Sequence, residues 1–111
     1  MTSHADGKVA VAASTHPGLS GKNNEDCLLV RRFSRPLESG VSGTLLAICD
    51  GIGGHNAGEV ASRLAVEAIQ TEFETAPGDI PALELLEKAV WLASENVRSH
   101  SLTQETCSGM G

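Results

Sequence analysis

Residues 47–58 read AICDGIGGHNAG, an apolar run that ends in Asp50 and is followed by a group of glycines. An apolar run of this length is typical of a buried strand. The backbone of an aspartate at the end of a strand is fixed, and glycines after it leave the surrounding space free of side chains. The stretch therefore predicts a site built around Asp50, at the edge of a sheet.

Length and composition limit the classes of protein to consider. The chain has 111 residues, 41% of them hydrophobic, which suits one domain, or part of one, with a modest core. Its net charge of −6, with no cluster of Lys and Arg, argues against nucleic acid and anionic membrane as partners. Three cysteines without a CxxC pair favour a reduced compartment. With no signal peptide and no long apolar run, we predict a cytoplasmic protein.

The first half of the chain has the patterns of strands. We predict strands at 8–15, 27–33 and 43–49, and the polar residues 34–42 are expected to connect the last two as a hairpin. Residues 106–111, TCSGMG, resemble the start of a further strand.

Two helices follow. The first is predicted at 57–74 and ends before Pro77, with an apolar face made by Val60, Leu64, Ala68 and Phe73. In the second, Asp79 is expected to be the N-cap and Pro81 to lie in the first turn. The apolar stripe of the second helix is expected at Ala82, Leu86, Val90, Ala93 and Val97. Strands followed by helices indicate an α+β fold.

Several glycine-rich and nucleophile motifs do not fit the chain. A P-loop needs Lys after its last glycine, whereas Glu59 follows Gly58. A dinucleotide fingerprint that starts at Gly51 would need a glycine where Asn56 stands, and no GxSxG elbow is present. Zinc lacks a convincing ligand set, because the cysteines are unpaired in sequence and the histidines are scattered at 4, 16, 55 and 100.

Carboxylate chemistry remains. Glu25 and Asp26 precede the second predicted strand and Asp50 ends the third, so antiparallel pairing of these strands would bring Asp26 and Asp50 to one edge. Carboxylates and the Gly51 carbonyl are ligands for Mg²⁺ or Mn²⁺, and two adjacent carboxylates repel unless a cation lies between them. Taken alone, each acidic stretch is also compatible with an ordinary turn.

The order of the motifs resembles a known family. NNED at 23–26, LLAICDGIGGHNAGEVAS at 45–62 and SGMG at 108–111 are similar to the N-terminal part of the PP2C-type (PPM) metal-dependent serine/threonine phosphatases, bacterial branch. The resemblance covers residues 9–111, after an N-terminal tail at 1–8. It implies an incomplete PP2C-like α/β sandwich that is truncated at the GMG motif, either a fragment or a shortened relative.

The resemblance also implies a chemistry. Two Mn²⁺ or Mg²⁺ ions would activate water to hydrolyse phosphoserine and phosphothreonine esters, without a protein nucleophile. Asp50 and the Gly51 carbonyl would bind these metals, and Glu25 and Asp26 would hold them and orient their waters. The implied partner is a phosphoprotein substrate, with the enzyme opposing a Ser/Thr kinase in signalling.

The chain departs from the family at the phosphate-binding position. Gly21 stands where members usually carry an arginine, and Lys22 beside it is a weak candidate replacement. Ile52 occupies the place of a histidine in animal members, and His55 is expected to be structural. The remaining metal aspartates of the family are not matched, so metal affinity should be weak. An alternative is a non-catalytic phosphatase-like module that binds a phosphoprotein, a kinase or a complementing partner.

Overall fold

A computed structural model describes residues 2–5, 9–35, 41–54 and 56–111. Within these ranges, the chain forms two short strands, two long strands and two helices, followed by a short 3₁₀ helix at Glu105–Cys107. The strands are β1 (Thr2–Ala5), β2 (Ala10–Ala13), β3 (Asp26–Arg35) and β4 (Val41–Asp50), and the helices are α1 (Ala57–Thr75) and α2 (Ala82–Thr103). This is the predicted α+β fold.

The strands form two antiparallel pairs, β1 with β2 and β3 with β4. The predicted pairing of the two long strands is confirmed, and both strands extend to the acidic residues, so that Asp26 and Asp50 form the terminal pair of the ladder. Part of the expected connection at 34–42 lies outside the described residues. Strand β1 lies in the segment that the sequence interpretation assigned to an N-terminal tail.

Side chains alternate between the two faces of the β3–β4 pair. On one face, Leu29 and Leu45 are buried in the main core. On the other face, Leu46 and Ile48 are exposed, and β2 lies over part of the same face across a cavity of about 500 Å³. Asp26 and Asp50 belong to this second face. Asp50 lies two positions after Ile48, and Asp26 lies two positions before Leu28, the register partner of Ile48.

Helix α1 covers the inner face of β3–β4. Ala68 and Phe73 are buried as predicted, whereas Val60 and Leu64 are only partly buried against a second small cluster that includes Cys107. The Phe73 ring meets the Phe33 ring of β3 edge to face, with centroids 5.1 Å apart. An ion pair of 2.6 Å between Arg31 and Glu74 adds a polar contact between β3 and the last turn of α1.

Helix α2 buries a different stripe from the one predicted. Leu85, Ala89 and Ala93 are buried against the rest of the core, while Leu86 and Val90 are exposed. The observed stripe is displaced by one residue, about 100° around the helix, and it presents alanines that permit close approach to α1. The exposed residues line an apolar cavity of about 730 Å³ between α2 and β4, so the predicted stripe was wrong at Leu86 and Val90. It was right at Ala93, and Val97 is partly buried against the second small cluster.

Two local predictions were also wrong. Helix α2 begins at Ala82 with Pro81 as its N-cap, so Asp79 does not cap it and Pro81 precedes the first turn. The terminal TCSGMG stretch contains part of the 3₁₀ helix in place of a strand. Gly111 nevertheless exchanges two backbone hydrogen bonds with Ile52, of 2.6 and 2.9 Å, which anchors this stretch beside the glycine loop. Within the described ranges, no helix combines the length and apolar composition needed to cross a membrane.

The packing of α2 can be tested by truncating one leucine. Leu85 has 0% exposed surface, so Leu85→Ala should leave a cavity and lower the free energy of unfolding by about 2–5 kcal/mol. Leu83→Ala is the matched control on the same helix, because Leu83 is 79% exposed, and its effect should stay within about 0.5 kcal/mol. Urea unfolding followed by circular dichroism measures both; similar losses would show that α2 packs through another face.

Candidate metal-binding site

The ends of β3 and β4 place two carboxylates directly opposite each other. Asp26 and Asp50 are register partners, and the Gly51 N–H donates a hydrogen bond of 3.0 Å to the Glu25 carbonyl next to them. This bond makes Asp26 and Asp50 a non-hydrogen-bonded pair, the kind in which the Cα atoms are closest, at about 4.5 Å. Both residues are exposed. Like charges directly opposite each other cost stability, and a bound cation would remove that cost.

Asparagines hold the loop before β3 in place. The side chain of Asn24 accepts a hydrogen bond of 3.0 Å from the Asp26 N–H and donates one of 2.8 Å to the Thr15 hydroxyl. The amide of Asn23 donates to the side-chain oxygen of Asn56, which precedes α1 and has a left-handed backbone with φ of 68°. These contacts join the loop before β3 to the loop before α1, so the acidic residues have a defined backbone position.

A second group of oxygens faces the first turn of α1. The Glu25 carboxylate lies against Gly58, in the space that a Cβ at residue 58 would occupy. The Gly51 carbonyl oxygen lies 2.9 Å from the same Cβ position. The positive end of the helix dipole favours a carboxylate at this place. Gly58 therefore lets one carboxylate and one carbonyl oxygen approach each other.

Gly51 also approaches the helix closely. A Cβ on Gly51 would overlap the backbone carbonyl of Gly58, which no side-chain rotation can relieve. A Cβ on Gly54, in the same loop, would meet nothing within 4 Å. Within the glycine loop, close packing therefore requires glycine at Gly51, whereas the space at Gly54 is open.

Lys22 lies in the neighbouring cavity. This cavity of about 320 Å³ is lined by Gly21, Lys22, Asn23, Glu25, Gly53 and Asn56. Lys22 is exposed there and Glu25 is half-buried, so the lining has a flexible positive charge beside a more fixed negative one.

The structure divides the predicted metal ligands into two sets. Asp26 and Asp50 lie on the outer face of the ladder, while the Glu25 side chain lies on the helix side, because neighbouring strand residues point to opposite faces. The Gly51 carbonyl also lies on the helix side, next to Gly58. Within the described ranges, no three His, Cys, Asp or Glu side chains form a group that could hold a metal ion. None of the ion pairs found between described residues includes Asp26 or Asp50. Hard oxygen donors in both sets still suit a divalent cation.

Cysteines occupy the next rung of the ladder. Cys27 and Cys49 are register partners, half-buried on the inner face. Burial raises the pKa of the Cys49 thiol, with a smaller contribution from Cys27 close by. The thiols therefore lie below the carboxylate pair, on the opposite side of the sheet.

Sequence reasoning missed Gly58, Asn24 and Asn56 as parts of the site. The Asx-turn propensity of asparagine was a usable signal for Asn24, because its side-chain oxygen accepts from the N–H of Asp26, two residues away. The contacts of Gly58 with Glu25 and of Asn56 with Asn23 join residues 33 positions apart, and no local pattern predicts them. His55 lies outside the described residues, so its expected structural role stays a prediction.

The close approach at Gly51 predicts that alanine substitutions at Gly51 and Gly54 differ in their effect on the free energy of unfolding. Gly51→Ala should lower the free energy of unfolding by about 1–3 kcal/mol, because the new Cβ overlaps the Gly58 carbonyl. Gly54→Ala, where the space is open, should change it by less than about 0.5 kcal/mol. Chemical denaturation of both variants provides the measurement. Equal stability of the two would mean that the loop does not pack against α1 as described.

Curated proteins include relatives of this chain. The chain is 33% identical over 100 residues to "Serine/threonine protein phosphatase PstP" of Mycobacterium tuberculosis, in strains CDC 1551 / Oshkosh and H37Rv. The match covers 90% of this chain and 17% of the relative, so the chain spans about a sixth of the length of the curated proteins it matches. No family model matches the chain. The similarity supports a relationship to PP2C-type phosphatases.

Proposed function

We propose that this chain contributes to a metal-dependent protein serine/threonine phosphatase, in which phosphoserine and phosphothreonine esters are hydrolysed. The opposition of Asp26 and Asp50 at the end of the ladder is the observation that carries the proposal. The similarity to PstP supports the phosphatase class, and the relative's name describes the same reaction type. The expected substrate is a cytoplasmic phosphoprotein whose Ser/Thr kinase this activity opposes.

The residues have separate roles in this proposal. Asp26 and Asp50 would hold Mn²⁺ or Mg²⁺ between their carboxylates, and Glu25 with the Gly51 carbonyl would provide oxygens on the helix side. Water would complete the coordination, as is usual for Mg²⁺. Such cations, when bound, supply an activated water nucleophile and neutralise charge on the phosphoryl group. Each of the four residues contributes only oxygen atoms, the type of ligand that these ions prefer.

Lys22 would act on the substrate. Its exposed ammonium group lines the cavity beside Glu25, where it can attract a phosphate without the bidentate geometry of arginine. The position of Gly21, where the family usually has arginine, leaves this as the nearest positive charge in the sequence. Phosphate contact by Lys22 should therefore be electrostatic and sensitive to salt.

Release of phosphate from a phosphothreonine peptide tests the proposal. The 111-residue chain should release phosphate in the presence of Mn²⁺, and Asp50→Ala should abolish the release, because it removes half of the carboxylate pair. Asp79→Ala is the matched control, since Asp79 is also exposed but lies between the helices. Activity without a divalent cation, or activity that survives Asp50→Ala, would contradict the mechanism. Peptide binding without hydrolysis would favour the non-catalytic module.

A further inference from the structure

The second rung of the β3–β4 ladder carries a pair of thiols. Cys27 and Cys49 are direct cross-strand partners, one residue inside Asp26 and Asp50. Both are free thiols in the structure, both are half-buried, and both pack against the main core. Because Asp26 and Asp50 form a non-hydrogen-bonded pair, Cys27 and Cys49 form the next hydrogen-bonded pair, with Cα atoms about 5.5 Å apart.

This separation is suited to a disulfide. Bridged cysteines usually have Cα atoms about 4.4–6.8 Å apart and Cβ atoms about 3.5–4.5 Å apart. Directly opposed residues in an antiparallel pair have Cβ atoms about 4.5–5.5 Å apart, and hydrogen-bonded pairs such as this one lie at the longer end, so closure needs the strands to approach each other by about 1 Å. A bridge that needs such an approach is easier to reduce than a relaxed one.

An oxidant can reach one thiol of the pair, Cys49, through a cavity. Cys49 lines the apolar cavity of about 730 Å³ between β4 and α2, together with the exposed residues Leu86 and Val90. Cys107, in contrast, is buried in the second cluster with Ala57, Ala61 and Met110. The fold therefore separates two half-buried, paired thiols, one of which lines a cavity, from a third thiol that is buried elsewhere.

We infer that Cys27 and Cys49 form a reversible disulfide with each other. The oxidant is a low-molecular-weight disulfide such as oxidised glutathione. One cysteine sulfur attacks a glutathione sulfur, and the first glutathione leaves as a thiol to give a mixed disulfide. The second cysteine attacks the protein sulfur of that bond and expels the second glutathione. Two protein thiols are oxidised, one disulfide is reduced, and both protons leave on glutathione.

The bridge would fix the ladder immediately below the carboxylates. It would join β3 to β4 one residue from Asp26 and Asp50, on the opposite face, and so oppose separation of the strands by the repulsion between the two acids. This inference concerns the thiols alone and does not depend on phosphatase activity or on bound metal.

Equilibration in glutathione redox buffers, followed by alkylation and peptide mapping, tests the inference. Trypsin cleaves after Lys22, Arg31, Arg32, Arg63 and Arg98, which places the three cysteines on separate peptides. In folded protein we expect one linked pair of peptides, 23–31 with 33–63, and an alkylated Cys107. The Cys107→Ser variant should form the same bridge, and the oxidised chain should unfold at a higher urea concentration than the reduced chain.

Three results would overturn the inference. These are a bridge that includes Cys107 in folded protein, glutathione adducts on Cys27 or Cys49 of the unsubstituted chain without closure, and thiols that stay reduced in fully oxidising buffer. Cys27→Ser and Cys49→Ser are matched controls, in which no linked 23–31 and 33–63 peptides should form. Oxidation of the chain in urea gives the reference, because an unfolded chain should yield a mixture of all three pairings.

Discussion

The opposition of two like charges at the end of the β3–β4 ladder is the constraint on which the site depends. The register fixes Asp26 against Asp50, and the hydrogen bond from Gly51 to Glu25 makes this the close type of pair. A cross-strand pair with equal charges lowers the free energy of unfolding by roughly 0.2–1 kcal/mol. The core below it, with Leu29 and Leu45 buried on the other face, holds the strands together despite that cost.

The glycines connect this rung to α1. Gly51 and Gly58 lack side chains where the loop and the first helical turn meet, so the Gly51 carbonyl and the Glu25 carboxylate can both face the helix. The oxygens consequently lie on both sides of the sheet, with Asp26 and Asp50 on one side and Glu25 on the other. Close packing, more than conformational freedom, explains the glycines at these two positions: Gly51 packs against the backbone of Gly58, and Gly58 packs against the Glu25 carboxylate.

Much of the site could be predicted from the sequence because it depends on the geometry of one hairpin. Alternation and chain order were sufficient to place Asp26 beside Asp50. The stripe of α2 could not be predicted in the same way, since Leu86 and Val90 are as apolar as Leu85 and only packing against α1 selects between them. The contact between Glu25 and Gly58 likewise depends on how α1 docks onto the strands. The family resemblance supplied the roles of the metal ligands, which neither hairpin geometry nor packing provides.

The free energy of unfolding of four proteins, with and without Mn²⁺, tests the central claim most directly. These are the unsubstituted chain, Asp26→Asn, Asp50→Asn and the double variant, with Asp79→Asn as the control for net charge. Without Mn²⁺, each single substitution should stabilise the chain by up to about 1 kcal/mol, and the second should add little, since the repulsion is already gone. Added Mn²⁺ should stabilise the unsubstituted chain more than any variant of the pair. Additive substitutions, together with an equal response of all the proteins to Mn²⁺, would contradict the account.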